Sequence, residues 1–270
     1  MPPIRTAAIA LPPLTVTFQS LFLFALAALC ALASGPAAAN LVEAVRKVQP
    51  SVVGITTFQV TRPLASHLAG TGFVVGDGRH VVTNAHVIRS DPSKGQQALF
   101  ALVRNGSDVD RRQLSIVAQD PAHDLALLRM SGDPLPAVRL RSDPELLPEG
   151  SAIAVTGFPI GTVLGLYPAT QAGIVSARPP NISPQPDSRF LDAAFVAAPR
   201  YEVYQLDLVA YPGHSGSPLY DAGNGEVVGI LNATFIKTTR EKVISEPSGI
   251  AYAIPAGFIR QLLLANGLKP

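Results

Sequence analysis

A serine lies in a glycine-bracketed turn, Gly213-His214-Ser215-Gly216-Ser217-Pro218. The two glycines leave its hydroxyl accessible and let backbone N–H groups converge on one point. Acyl transfer needs that arrangement, a nucleophile beside donors for the oxyanion it creates. A glycine-flanked serine alone is most often an ordinary turn, so the chemistry depends on a base and an orienting carboxylate elsewhere. His86 follows an apolar run in Val81-Val82-Thr83-Asn84-Ala85-His86-Val87-Ile88, at the start of an expected helical turn. Asp124 comes directly before an expected buried strand in Asp120-Pro121-Ala122-His123-Asp124-Leu125-Ala126-Leu127-Leu128. An imidazole bonded to a buried carboxylate keeps its tautomer and can accept the serine proton.

Other polar residues compete for these roles. Asp120 precedes Pro121 and reads as a turn or cap residue, so Asp124 is preferred. His123 reads as a surface neighbour, and His67 and His80 show no pattern. His214 has no histidine or carboxylate at metal-like spacing and reads as an exposed turn residue. Asp207, in the strand before the nucleophile loop, reads as a loop-holding group. No metal and no cofactor is expected.

The elements that must position these groups are short and β-rich. Runs at 52–60, 71–75, 80–83, 98–103, 114–118 and 125–129 are punctuated by Gly, Asp and Pro, with a hairpin signal at Gly76-Asp77-Gly78. A polar, Pro-rich stretch at 131–150 reads as a connector. A second set follows at 152–156, 170–176, 203–209, 217–220, 227–233 and 249–254. Two sets of about six strands without intervening helices predict two antiparallel barrels or sandwiches, hence an all-β chain. Asn40-Leu41-Val42-Glu43 reads as a capping box opening a short helix that Pro50 stops. Pro255 opens a closing helix with Phe258, Ile259, Leu262 and Leu263 on one face, ended by Gly267. Residues 178–200 form a long Pro-rich loop and 238–248 a polar one. Long loops in compact domains are usually functional or mobile.

The chain has 270 residues, 47% hydrophobic and 15% charged, with a formal charge of +2. That length supports one large or two small cores, and the composition argues against disorder. The scattered small charge and the lack of a basic run with aromatics argue against nucleic acid as a partner. Residues 1–39 have one positive charge, Arg5, then an apolar run at 21–32 and an Ala37-Ala38-Ala39 end. This is the pattern of a secretory signal peptide cut after Ala39. The run is shorter than the roughly 20 residues of a membrane span, so no stable span is expected after cleavage. Cleavage also removes Cys30, the one cysteine, and leaves 20 basic against 19 acidic residues, or +1. An exported chain without cysteine suits a bacterial periplasm, or secretion from a bacterium, better than a disulfide-dependent route.

The order His86, Asp124, Ser215 matches chymotrypsin-type enzymes, whereas α/β-hydrolases run Ser, Asp, His. Position 217 is Ser, so the hydrolase elbow G-x-S-x-G is also absent. The blocks Thr83-Asn84-Ala85-His86-Val87, Asp124-Leu125-Ala126-Leu127-Leu128 and Gly213-His214-Ser215-Gly216-Ser217-Pro218 resemble the three catalytic blocks of trypsin-like peptidases. More closely they resemble the bacterial HtrA/Deg branch. Residues 172–177, Val228-Gly229-Ile230-Leu231-Asn232 and Gly249-Ile250-Ala251-Tyr252-Ala253-Ile254-Pro255 are similar to that branch too. The likeness spans about residues 41–265.

The resemblance implies two six-stranded antiparallel barrels of the chymotrypsin type with short terminal helices. The first barrel would take 40–145, and the second barrel with its helix 146–270. It implies a serine endopeptidase acting on unfolded or damaged polypeptides. His86 would be the base and then the acid, Asp124 its orienter and Ser215 the nucleophile, with N–H groups of Gly213, Ser215 and also His214 as oxyanion hole. Val209, where a trypsin has an acid, implies an apolar primary pocket with Leu231, Asn232 and Ala233 as its wall. HtrA relatives commonly trimerise through their N-terminal region, so a homo-oligomer is implied, with 40–50 the available segment. Family members usually carry Asn or Asp at the place of His214 and Gly at that of Ser217. No PDZ module follows, so peptide-sensing regulation does not carry over. Two competing readings remain, a catalytically impaired homologue that binds peptides or a partner protein, and a serine esterase.

Overall fold

A computed structural model of the chain describes residues 37–59, 67–88, 97–106, 108–159, 166–181, 200–232 and 249–270. The expected signal peptide up to residue 36, most of the loop at 178–200 and all of 238–248 lie outside these residues. So does the expected pocket residue Ala233.

Two closed antiparallel barrels carry the chain. The first contains β1 (Val52–Gln59), β2 (His67–Val75), β3 (His80–Asn84), β4 (Gln97–Asn105), β5 (Asp108–Asp120) and β6 (Leu125–Met130), ordered β1-β2-β3-β6-β5-β4. The second contains β7 (Ala152–Gly157), β8 (Ala169–Ala177), β9 (Tyr204–Leu206), β10 (Pro218–Asp221), β11 (Val227–Asn232) and β12 (Ala251–Pro255), ordered β10-β11-β12-β9-β8-β7. All twelve expected strands are present, and closure abolishes the sheet edges. The fold is therefore the two-barrel, chymotrypsin-like one.

Period-two alternation explains the apolar runs. Along β6, Ala126 and Leu128 point into the first barrel, while Leu125 and Leu127 join a core between the barrels. On β11 the alternation slips by one residue, because the pairing with β10 is irregular between Leu219 and Tyr220 and leaves Val228 as the extra residue. Val228 and Leu231 fill the second barrel, while Val227 and Ile230 face the shared core. Strands buried on both faces read as continuous apolar runs. The shared core also holds Phe73, Phe158, Tyr220 and Ile254. Each such side chain contributes about 1.5–3 kcal/mol by leaving water.

Both helices close over that shared core. In α1 (Ala37–Val48), Ala44 and Val48 are buried in it. The expected capping box is not realised, because the helix already runs through Asn40. The preceding alanines, the best helix formers, extend it back to Ala37. In α2 (Ala256–Ala265), Ile259, Leu262 and Leu263 are buried as expected, and Gly267 follows the helix with φ +73°. Leu268 N–H reaches back to the Leu263 carbonyl, closing the end.

One strand is shorter than its sequence suggests. β9 spans only Tyr204–Leu206 because the chain leaves the sheet at Asp207. The Asp207 carboxylate instead accepts the Ile174 N–H at 2.5 Å, beside the irregularity between Val175 and Ala177.

Candidate active site

His86 lies in a 3-10 turn, Ala85–Ile88, that follows β3 directly. Asp124 lies in the connection between β5 and β6, at φ +50°. An L-residue there is strained by about 1–3 kcal/mol, although Asp tolerates it better than most. The surroundings fix that conformation. The Asp124 carbonyl accepts the Ala85 N–H at 2.9 Å and the Asn84 side-chain amide at 3.1 Å. β3 and β6 pair in register, Asn84 opposite Leu125, which brings the two turns together.

The Asp124 carboxylate receives three donors. Oδ1 accepts the His86 backbone N–H at 2.9 Å, and Oδ2 accepts His86 Nδ1 at 2.6 Å. Oδ2 also accepts the Asn232 side-chain amide at 2.9 Å. A carboxylate only accepts, so Nδ1 carries a proton, and in the neutral ring the lone pair is then on Nε2. Both side chains are about a fifth to a quarter exposed, and charge-assisted bonds in such a place are the strong kind. Asn232, expected as a pocket wall, faces the carboxylate instead. Its position at the end of β11 puts it across the barrel interface from β6.

Ser215 is buried in the turn before β10. The segment 211–214 is a turn in which His214 N–H donates to the Tyr211 carbonyl at 3.0 Å, with Gly213 at φ +99°. Pro212 followed by a positive-φ glycine is what a type II turn requires. Gly216 N–H donates to the Leu231 carbonyl, and Ser217 N–H to the His214 carbonyl, each at 3.0 Å. Among the described residues, the Gly213 and Ser215 N–H groups have no acceptor. They are the two N–H groups expected for the oxyanion hole. The expected third, from His214, is corrected: it is engaged by Tyr211.

The turn that carries His86 and the turn that carries Ser215 meet over Gly70 of the first barrel. A Cβ at Gly70 would meet both the Ser215 carbonyl oxygen and the Val87 side chain at 2.8 Å. Among the described residues, Ser215 Oγ and His86 Nε2 share no hydrogen bond.

Other expectations change in detail. His214 is not an exposed turn residue; it is 1% exposed. Its ring folds back so that Nδ1 accepts the Tyr211 N–H at 3.5 Å, and burial pushes its pKa down to about 4. Ser217 is fully buried and aimed at Gly157, where a Cβ would lie 2.0 Å from its Oγ. Asp120 is the turn residue expected, accepting the Ala122 and His123 N–H groups. His123 is not a free surface neighbour. It pairs with Asp120 at 2.6 Å and stacks on Phe258, ring centroids 3.9 Å apart. Val209, six residues before Ser215, is half-buried. Leu231 lies fully buried in the second barrel's core. Among the described residues, no group of three or more His, Cys, Asp or Glu side chains is arranged to hold a metal. No helix of the described residues is long and apolar enough to cross a membrane.

Two closed six-stranded barrels, with a His–Asp pair on one and a glycine-flanked serine on the other, define the chymotrypsin-like class. Within that class, residues 70–230 match the profile of the trypsin-like peptidase domain, and the chain belongs to that family. It is 31% identical to the protein y4bJ of Sinorhizobium fredii over 87% of this chain and 34% of that one. It is 30% identical to a probable periplasmic serine endoprotease, DegP-like, of Ectopseudomonas mendocina over 69% of this chain and 32% of that protein. Among solved structures, the HtrA-type protease AlgW with a tripeptide superposes with a TM-score of 0.59 at 26% identity, covering 83% of this chain and 62% of that one. Deg5 superposes with a TM-score of 0.61 at 24% identity, covering 84% and 93%; this likeness concerns the fold. The chain spans about a third of the length of the curated relatives it matches.

Proposed function

We propose that the chain is an exported serine endopeptidase that cleaves unfolded or damaged polypeptides through an acyl-enzyme. Asp124, held by three donors, orients His86 with its Nε2 lone pair free; that observation carries the reading. His86 takes the Ser215 Oγ proton as the oxygen attacks the scissile carbonyl carbon. The Gly213 and Ser215 N–H groups receive the oxyanion. The imidazolium then protonates the leaving amine, and water, deprotonated by the same ring, releases the acyl group. The Ser215–His86 bond belongs to the substrate complex, since such bonds often tighten only there. The names of the periplasmic DegP-like relatives support export and peptide substrates. Val209 at the nucleophile loop supports an apolar primary pocket. Homo-oligomerisation as a trimer belongs to the same reading, and light scattering of the purified protein tests it.

The decisive experiment compares casein cleavage and fluorophosphonate labelling of the purified protein and its Ser215→Ala variant. Labelling with cleavage of unfolded casein is expected, and both are lost in the variant. No labelling of the parent sinks the peptidase reading and favours an impaired homologue that binds peptides, which the lack of a Ser215–His86 bond would suit. Labelling with ester turnover but no protein cleavage favours an esterase.

A further inference from the structure

We propose that Thr71, presented by the first barrel, is a positioning residue for the oxyanion hole, its hydroxyl and amide locking the peptide planes of the nucleophile turn on the second. The inference rests on the serine-peptidase reading above. Thr71 is fully buried in β2, between two glycines, and every polar atom it has is engaged. Its N–H donates to the Ser215 carbonyl at 2.8 Å, and its Oγ1 to the Gly213 carbonyl at 2.7 Å. The same Oγ1 accepts the Phe158 N–H at 3.2 Å, and the Thr71 carbonyl accepts Thr83 Oγ1 at 2.7 Å.

A trans peptide holds its C=O and N–H on opposite sides, so fixing both ends fixes the plane. The Gly213–His214 plane is held by Thr71 Oγ1 at one end and the Tyr211 carbonyl at the other. The Ser215–Gly216 plane is held by the Thr71 N–H and the Leu231 carbonyl. The two N–H groups left without acceptors, of Gly213 and Ser215, belong to the planes next to these locked ones. Gly216 at φ +88° lets the Thr71 carbonyl oxygen approach so closely that a Cβ there would lie 2.0 Å from it. Thr83 stands three residues before His86 on β3. Thr83, through the Thr71 carbonyl, and Thr71, through its own hydroxyl and amide, therefore tie the strand of the base to the peptide planes of the hole. Without the Thr71 hydroxyl, the Gly213 carbonyl loses its partner and the Gly213–His214 plane is held at one end only, by the Tyr211 carbonyl, which loosens the hole beside it.

The test uses the full chain with Thr71→Val, which keeps the shape and the N–H and deletes the hydroxyl, and Thr71→Ser, which keeps the hydroxyl. Removing an oxyanion donor outright costs on the order of 10²–10³ in rate, so loosening one should cost about 10- to 100-fold. The expected result is that loss in kcat and in fluorophosphonate labelling for Thr71→Val, with KM within about two-fold, and recovery in Thr71→Ser. Affinity for a peptide boronate, which adds to Ser215 and fills the hole, should fall in parallel, while affinity for the matching peptide amide stays unchanged. A folded Thr71→Val with parental kcat and boronate affinity overturns the proposal, as does a Thr71→Ser equally impaired. If Thr71→Val does not fold, Thr71→Cys, similar in size and a weak donor, must show the same kcat loss at unchanged KM. If neither folds while Thr71→Ser does, Thr71 is structural and the proposal fails. If the parent neither labels nor turns over, the peptidase reading fails on its own. Hydrogen exchange of segment 211–217 then decides the locking: faster exchange at the His214 amide in Thr71→Val supports it, and equal rates overturn it.

Discussion

Asn232, at the end of a second-barrel strand, donates its side-chain amide to Asp124 Oδ2 on the first barrel at 2.9 Å, the same oxygen that receives His86 Nδ1. The Asp124 carboxylate is thus shared between the barrels. Its direction depends on how they pack, and the core between them, built on Phe73, Leu125, Tyr220 and Ile230, sets that packing.

The first prediction concerns that amide. Asn232→Ala removes one of three donors from a partly buried carboxylate. A hydrogen bond to a charged group is worth about 1.5–3 kcal/mol, so kcat on a chromogenic ester should fall at least roughly ten-fold while KM stays put. Unchanged kcat in a folded variant would mean that the two His86 donors alone hold Asp124.

A second prediction separates orientation from nucleophilicity. Asp124→Asn presents an amide where His86 Nδ1–H needs an acceptor, so the ring adopts the wrong tautomer. In the trypsin triad the analogous change costs about 10⁴ in kcat, and a loss of that order is expected here. Ser215→Ala should cost on the order of 10⁶, as for other triad nucleophiles. Single-turnover acylation with an activated ester reads both, and comparable small losses in the two would remove Asp124 from the mechanism.

The barrels could be read from the sequence because each strand keeps its alternation or, where both faces are buried, its unbroken apolar run. His86, Asp124 and Ser215 stood out because each sits at a strand end beside small or turn-forming residues. Thr71 carries no signal beyond Gly70 and Gly72, since the Gly213 carbonyl that its hydroxyl holds lies 142 positions away. Asn232 was visible as part of a motif but not as a ligand of Asp124, because its pairing is decided by barrel packing. His214 was misread for a similar reason. Turn residues are usually solvated, whereas this ring folds under its own turn.

A third prediction tests the fit of Ser217. Its hydroxyl is buried with no hydrogen-bond partner among the described residues, aimed at Gly157. Deleting a buried, unpaired hydroxyl removes a desolvation cost of about 1–3 kcal/mol. Ser217→Ala should therefore raise the urea midpoint and leave fluorophosphonate labelling intact. Gly157→Ala should be strongly destabilising in the parent and markedly less so on a Ser217→Gly background. Additivity between the two sites would show that the contact does not matter.

The last prediction follows from the buried His214. Burial lowers its pKa from the ordinary 6.5 to about 4 in the folded chain, whereas the unfolded chain titrates it near the ordinary value. Above pH 6.5 the ring is neutral in both states and costs nothing. As pH falls below 6.5, the unfolded chain takes up a proton that the folded chain refuses, so stability drops with a slope approaching 1.4 kcal/mol per pH unit. The decline ends near pH 4, where the folded ring is protonated too, after a loss of about 3 kcal/mol. The charge would arise one residue from Ser215, on the ring whose Nδ1 accepts the Tyr211 N–H, so the nucleophile turn should loosen in the same window. His214→Asn, polar but not titrating, should flatten the stability profile between pH 6.5 and 4 and preserve acylation near neutrality. Urea melts of parent and variant at pH 7 and pH 4.5 measure this directly. Parallel profiles would show that groups elsewhere set the acid sensitivity.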